Sequence, residues 1–120
     1  MKEENVVAGK SFRFAVRIVN LYKYLCAERK EFVLSKQLLR SGTSIGALIR
    51  ESEHAQSKAD FINKVNIALK EANETEYWLL LLRETEYLTE TEFNSIIEEC
   101  RELIRLTASI VKTTKLNLEN

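Results

Sequence analysis

The stretch that decides the fold is Phe61–Leu82, which reads FINKVNIALKEANETEYWLLLL. Small and apolar residues recur along it at alternating intervals of four and three positions, the heptad spacing of a helix that packs along one seam. The members of this seam are Phe61, Val65, Ala68, Ala72, Thr75, Leu79 and Leu82. A segment this long without glycine or proline exceeds the usual length of a strand, so it predicts a long helix packed on other helices.

Two further helices are predicted before this segment. Residues 11–28 carry an apolar face, with a second apolar stripe beside it. The face is Phe12, Ala15, Val19, Tyr22 and Cys26, and the stripe is Phe14, Ile18, Leu21 and Leu25. Residues 35–54 predict the second helix, with Ser35 as its N-cap. The apolar stripe of this second helix is Leu38, Gly42, Ile45 and Ile49.

Capping signals indicate where the last two helices begin. Ser57 is followed by Asp60 at the capping-box position, and Thr89 is followed by Glu92 in the same way. Leu88 is placed to pack on Phe93 as a hydrophobic staple. The seam of the fourth helix is Phe93, Ile97, Cys100, Ile104, Thr107 and Val111. Residues 115–120 are expected to fray, since chain ends are poorly tied down.

Composition agrees with an all-α protein. The 120 residues include no proline and three glycines, whereas sandwiches and barrels need many turn residues. The chain has the length of one domain, so residues 1–120 are predicted to form a single unit. Four helices joined by short connections favour an antiparallel, up-down four-helix bundle.

Two features indicate that this bundle self-associates. Tyr77–Leu82 is a run of six large apolar residues, and at about 100° per residue it surrounds the helix. Such a belt indicates a second buried face, or else a loop or terminal segment that covers it. Gly42 and Gly46 share one side of a helix, where each costs about 1 kcal/mol relative to alanine; they indicate close packing of another backbone, or a bend. The candidate oligomer interface is Gly42, Gly46, Tyr77, Trp78, Leu81 and Leu82.

The charges balance overall but not along the chain. Residues 1–50 contain ten Lys and Arg against four Glu, and residues 51–120 contain eight basic and fourteen acidic residues. The basic half is suited to phosphate or to the acidic half of a neighbouring copy. The candidate nucleic-acid-binding residues are Arg13, Arg17, Lys23, Lys36, Arg40 and Arg50. The net charge of zero is unlike that of a dedicated nucleic-acid-binding domain.

Nothing in the sequence points to catalysis, a metal or a cofactor. Glu51 and His54 have the Glu-x-x-His spacing of a di-iron bundle, but that centre needs two such motifs and His54 is the only histidine. Cys26 and Cys100 lie on apolar stripes, where a thiol behaves as a small hydrophobe. The protein is therefore expected not to be an enzyme.

Location and membrane contact follow from hydropathy. Residues 1–10 are mostly polar and charged, unlike a signal peptide. The longest apolar run, Tyr77–Leu82, is far shorter than a membrane span. We therefore expect a cytoplasmic protein that does not enter the membrane, with both thiols reduced.

Three stretches carry a family resemblance: FVLSKQLLRSGTSIGA at 32–47, AQSKADF at 55–61 and IALKEANETEYWL at 67–79. Over roughly residues 10–112 the chain resembles the bacterial four-helix bundle proteins called 23S rRNA-intervening sequence proteins. The resemblance implies a ring of five subunits and supplies no catalytic residues. The family is also similar to the accessory variability determinant of diversity-generating retroelements, a strongly basic pentamer that binds nucleic acid and a reverse transcriptase. Leu48 departs from the family, since many members carry Asn there.

Three functions remain open at this level. The first is a homo-oligomer associated with RNA, DNA or a ribonucleoprotein. The second is a scaffold whose ring binds another protein and no nucleic acid. The third is an enzyme, which would need a metal or ligand shared between subunits.

Overall fold

Four helices make up the described part of the chain. The computed structural model describes residues 2–119, and the side chains of residues 5–117. The helices are α1 (Lys2–Ala27), α2 (Leu34–Ser52), α3 (Lys58–Glu84) and α4 (Glu90–Glu119). No strand occurs between residues 2 and 119, so the predicted all-α class is confirmed.

The helices form an antiparallel bundle. In each neighbouring pair, residue numbers rise along one helix as they fall along the other. The contacts that show this are Ser11–Gly46 and Ile18–Gly42 between α1 and α2, and Arg40–Glu74 and Glu51–Lys64 between α2 and α3. Between α3 and α4 they are Ala72–Cys100 and Arg83–Glu90, and between α1 and α4 they are Lys10–Glu102 and Arg17–Glu99. Within the described residues, each helix contacts its two neighbours and not the helix diagonally opposite. The result is a rod of 51 × 21 × 20 Å with α1 and α2 along one side and α3 and α4 along the other.

The core lies along the rod axis and contains the predicted seams. On α3 every member from Val65 to Leu82 is buried, and Phe61 is half-buried. On α2 the whole predicted stripe is buried. On α4 the seam is buried except for Ile104, which is half-buried. Three of the four seams could thus be identified from spacing alone.

Helix α1 differs from prediction in its start and in its buried face. It begins at Lys2 rather than at residue 11, because no proline interrupts residues 2–10 and Val7, 1% exposed, extends the buried stripe by two turns. The buried side chains are those of the second stripe, among them Phe14, Ile18 and Leu25. The predicted main face is wrong, since Phe12 is 65% exposed. Both stripes have helical spacing, and only the packing on α2 and α4 chooses between them.

Helix α2 is capped by an acidic residue that the sequence did not indicate. The helix begins at Leu34, so the predicted N-cap role of Ser35 is wrong. The Glu31 carboxylate accepts hydrogen bonds from the backbone N–H groups of Val33, Leu34 and Ser35 at 3.2, 3.0 and 2.7 Å. It therefore satisfies the donors that a helix start leaves unpaired. The helix ends at Ser52, two residues before the predicted end.

The predicted starts of α3 and α4 are confirmed. Ser57 Oγ accepts from the Asp60 N–H at 3.0 Å. Thr89 and Glu92 form a full capping box, with reciprocal bonds of 2.8 and 3.1 Å. Residues 115–119, expected to fray, continue α4 as helix to Glu119, and Asn120 lies outside the described residues.

Candidate interaction surfaces

Helix α1 carries a second apolar seam on its outer side. Phe12 and Val16 are 65% and 47% exposed, and Ala8, Ala15 and Val19 flank them at helical spacing. Beside this seam a cavity of about 320 Å³ opens between α1 and α2, and we call it the α1–α2 groove. Its lining residues are Ala8, Phe12, Ala15, Thr43, Gly46, Ala47, Ile49, Arg50 and Glu53. The outer seam and the groove form an apolar surface that the other described side chains, within residues 5–117, leave uncovered.

The two glycines of α2 let α1 and α2 approach each other within one chain. A Cβ on Gly42 would lie 2.8 Å from Cγ1 of Ile18, and one on Gly46 would lie 3.2 Å from the Ser11 carbonyl oxygen. Close packing, one of the two interpretations left open above, is therefore the correct one. Gly42 is buried beneath Ile18 and offers no surface to another subunit, which corrects its assignment to the oligomer interface. Gly46 is half-buried and lines the groove.

Most of the apolar belt on α3 is used inside the bundle. Leu79 and Leu82 are fully buried, so Leu82 belongs to the core rather than to a surface. Trp78 and Leu81 are half-buried, and the Trp78 indole N–H donates to Glu74 at 2.9 Å. Tyr77, whose ring meets Trp78 edge-on, is 56% exposed. Of the candidate interface residues on α3, Tyr77 is therefore the one that faces solvent.

Two of the six candidate nucleic-acid-binding residues are engaged within the chain. The Arg17 guanidinium donates to Glu99 at 2.6 Å and to the carbonyl and hydroxyl of Ser95 at 2.7 Å. Arg40 bridges Glu71, at 2.7 Å, and Glu74. Hydrogen bonds from Trp78 and Arg40 lower the pKa of the Glu74 carboxyl. Both cations are thus paired with carboxylates of α3 and α4, although their side chains remain 38% and 51% exposed.

The other four candidates are exposed. The side chains of Arg13, Lys23, Lys36 and Arg50 form no ion pair with another described side chain. Arg13 lies next to Glu99 and Glu102, whereas Arg50 lines the α1–α2 groove. The structure thus divides a set that looked uniform in sequence into cations that are paired within the chain and cations that form no ion pair with a described side chain.

No group of three or more His, Cys, Asp or Glu within the described residues is placed to hold a metal ion. Burial raises the pKa of the Cys100 thiol to about 12, so it carries no thiolate at neutral pH. Among residues 2–119, no helix has the length and apolar character needed to cross a bilayer.

Comparison with known proteins agrees with this architecture. The family model described as 23S rRNA-intervening sequence protein matches residues 3–109. A crystal structure of a protein of unknown function from the S23 ribosomal protein family of Bacteroides thetaiotaomicron VPI-5482 is similar, with a TM-score of 0.90 and 66% sequence identity. The match covers 92% of this chain and 98% of that one. No curated protein matches the chain.

Proposed function

Because the chain belongs to the 23S rRNA-intervening sequence protein family, we propose that it is a non-enzymatic helical subunit that self-associates in the cytoplasm. One observation carries this proposal, namely the exposed outer seam of α1. A phenylalanine that is 65% exposed in the middle of a long, rigid helix leaves apolar surface in water. The family resemblance suggests that the assembly is a ring of five.

The form of the seam favours a helical occupant. Ala8, Phe12, Ala15 and Val19 follow each other at intervals of four, three and four, the spacing of a coiled-coil seam. The small residues Gly46 and Ala47 line the groove beside it and leave room for an incoming side chain. A helix from a second copy fits this surface, because it can present apolar side chains at the same spacing and place one of them in the groove.

The test is the mass of the protein in solution. Phe12→Asp combined with Val16→Asp places two charges on the seam and is expected to convert the assembly to monomers in native mass spectrometry or sedimentation velocity. Phe32→Asp is the matched control, because Phe32 is 53% exposed but lies outside the groove. Circular dichroism checks that all three proteins are folded. A monomeric wild type, or a double variant with the wild-type mass, contradicts the proposal.

A second candidate function is nucleic-acid binding by the assembly. Four exposed cations, Arg13, Lys23, Lys36 and Arg50, favour it, since symmetry would repeat them around a ring. Contacts of this kind act on phosphate and weaken steeply as salt rises. Fluorescence anisotropy with labelled RNA and DNA at low salt is the measurement. Arg13→Glu is expected to weaken binding without changing the mass of the assembly, and Lys70→Glu, an exposed lysine on α3, serves as the control.

The outcome also decides between the two partner classes. If wild-type protein binds no nucleic acid at low salt, this second function is excluded. A protein that co-purifies with the folded assembly under the same conditions then supports a protein-interaction scaffold. The ratio of absorbance at 260 and 280 nm, measured on gently purified protein, also shows whether nucleic acid or only protein is bound.

A further inference from the structure

We infer that self-association is head-to-tail: the cationic α1–α2 side of one copy receives the acidic α3–α4 side of the next. This inference rests on the proposed self-association and names the two surfaces that meet. The order of the helices around the bundle places residues 1–50 mainly on one side of the rod and residues 51–120 on the other. The charge imbalance along the sequence thereby becomes a charge difference across the molecule.

Exposed cations border the apolar groove on the α1–α2 side. Arg50 lines the groove itself. Lys23 follows Val19 by one helical turn and so lies on the outer-seam face of α1, whereas Lys36 precedes Thr43 by two turns and so lies on the groove-bearing face of α2. None of the three makes an ion pair with a described side chain. Glu53 also lines the groove, but the three cations outnumber it, so this side of the rod is apolar and, on balance, positively charged.

Exposed carboxylates mark the α3–α4 side. The side chains of Glu84, Glu90 and Glu98 are exposed by 74%, 72% and 72%. Their nearest cations, Arg83 and Arg101, lie no closer than 3.6 Å, and such solvated pairs contribute little. These carboxylates are free to pair with cations of another copy.

The charges select between the two kinds of symmetry. In a two-fold contact the same surface meets itself, so the cations bordering one groove would face those bordering the other. In a head-to-tail contact cations meet carboxylates, which favours association and suppresses the alternative pairing. Such a head-to-tail contact gives a closed ring when the rotation from copy to copy brings the last copy back to the first, and otherwise it gives a filament.

The axial positions of four of these charges, Lys23, Lys36, Glu84 and Glu90, agree with rods lying side by side. Arg29 donates to the backbone carbonyls of Tyr87 and Glu86 at 2.7 and 2.8 Å, which ties the end of α1 to the α3–α4 turn. Lys23 and Lys36 therefore occupy the same half of the rod as Glu84 and Glu90. Copies related by an axis parallel to the rod would present these groups to each other at one level.

The experiment uses three charge variants of the full chain, followed by native mass spectrometry. The basic-side variant carries Lys23→Glu, Lys36→Glu and Arg50→Glu, the acidic-side variant carries Glu84→Lys, Glu90→Lys and Glu98→Lys, and the third carries all six changes. Each three-residue variant alone is expected to be at least tenfold weaker in association. An equimolar mixture of the two, and the six-residue variant alone, are expected to regain association.

The acidic-side variant decides the inference. A two-fold contact between α1–α2 sides leaves that variant assembled like wild type, and this result overturns the head-to-tail arrangement. A folded six-residue variant that stays monomeric overturns it as well. A monomeric wild type is a different result, because it contradicts the proposed self-association itself. Circular dichroism shows that each variant is folded before its mass is compared.

Discussion

Glu31 and Ser35 hold each other at the start of α2. The Glu31 carboxylate accepts the Ser35 backbone N–H at 2.7 Å, and the Ser35 hydroxyl donates to the Glu31 carbonyl oxygen at 2.8 Å. Both side chains are buried. The pair joins the end of the α1–α2 connection to the first turn of α2, and it replaces the serine cap that the sequence suggested.

Replacing Glu31 by glutamine is expected to destabilise the protein by about 1–2 kcal/mol. The change removes the charge from a carboxylate that caps three backbone N–H groups, and lost caps have costs in this range. The free energy of unfolding from urea titration is the measurement. Glu28→Gln, an exposed position six residues before the helix start, is the control and is expected to change stability little. An equal loss at both positions contradicts the capping role.

The Glu31 cap also predicts a pH dependence. Burial by itself would raise the pKa of this carboxyl, but hydrogen bonds from Leu34, Ser35 and Val33 outweigh it and leave the pKa lowered. A lowered folded-state pKa means that the carboxylate stabilises the fold above the unfolded value, about 4.3. This contribution is lost as pH falls through the folded pKa. The stability difference between wild type and Glu31→Gln should therefore be constant above about pH 5 and shrink in acid.

Gly42→Ala is expected to lower stability by about 1–3 kcal/mol. Alanine gains about 1 kcal/mol in helix propensity. However, its Cβ would lie 2.8 Å from two carbon atoms of Ile18, which is fully buried and cannot move aside. Gly9→Ala is the matched control, because its Cβ meets only the end of the exposed, flexible Arg13 side chain. The melting temperature should fall for Gly42→Ala and rise for Gly9→Ala. A shift in the same direction for both variants contradicts the packing argument.

Glu86→Gly is expected to stabilise the protein by about 1 kcal/mol. Glu86 has a φ of 66° at the end of α3, where the Tyr87 N–H bonds to the Leu82 carbonyl at 2.9 Å in a Schellman-type ending. Glycine adopts this left-handed conformation without the Cβ clash that other residues suffer. Thr85→Gly, one residue earlier at a φ of −94°, should destabilise instead. Melting temperatures of both variants check the prediction.

Native protein is expected to expose Cys26 and not Cys100 to a thiol reagent. Cys100 is fully buried, and burial raises its pKa to about 12, so both access and thiolate are lacking. Cys26 is only half-buried. A Cys26→Ala variant should therefore react with a disulfide reagent at pH 8 only as fast as it unfolds, while both thiols of wild type react in urea. Rapid labelling of the native Cys26→Ala variant contradicts this packing.

Much of the fold could be predicted because its signals are local. In the α3 seam, the α2 stripe and the Thr89–Glu92 capping box, each residue lies about one helical turn from the next, and helix geometry alone relates them. The candidate surfaces were less predictable. Among the candidate interface residues, Tyr77 is exposed, whereas Gly42 and Leu82 are buried. Spacing shows that residues share a helix face, but not which neighbouring helix covers that face.

The sequence by itself determined the four helices, their antiparallel order and the uneven distribution of charge, since these depend on periodicity, caps and short connections. Only the tertiary structure decided which stripe of α1 is buried, because Phe12 and Phe14 lie on stripes of equal helical spacing and the contact of Ile18 with Gly42 selects one. It also decided which cations are free, since Arg17 meets Glu99 across 82 positions of chain. Local patterns specify helices, whereas contacts between distant segments specify the surfaces that those helices present.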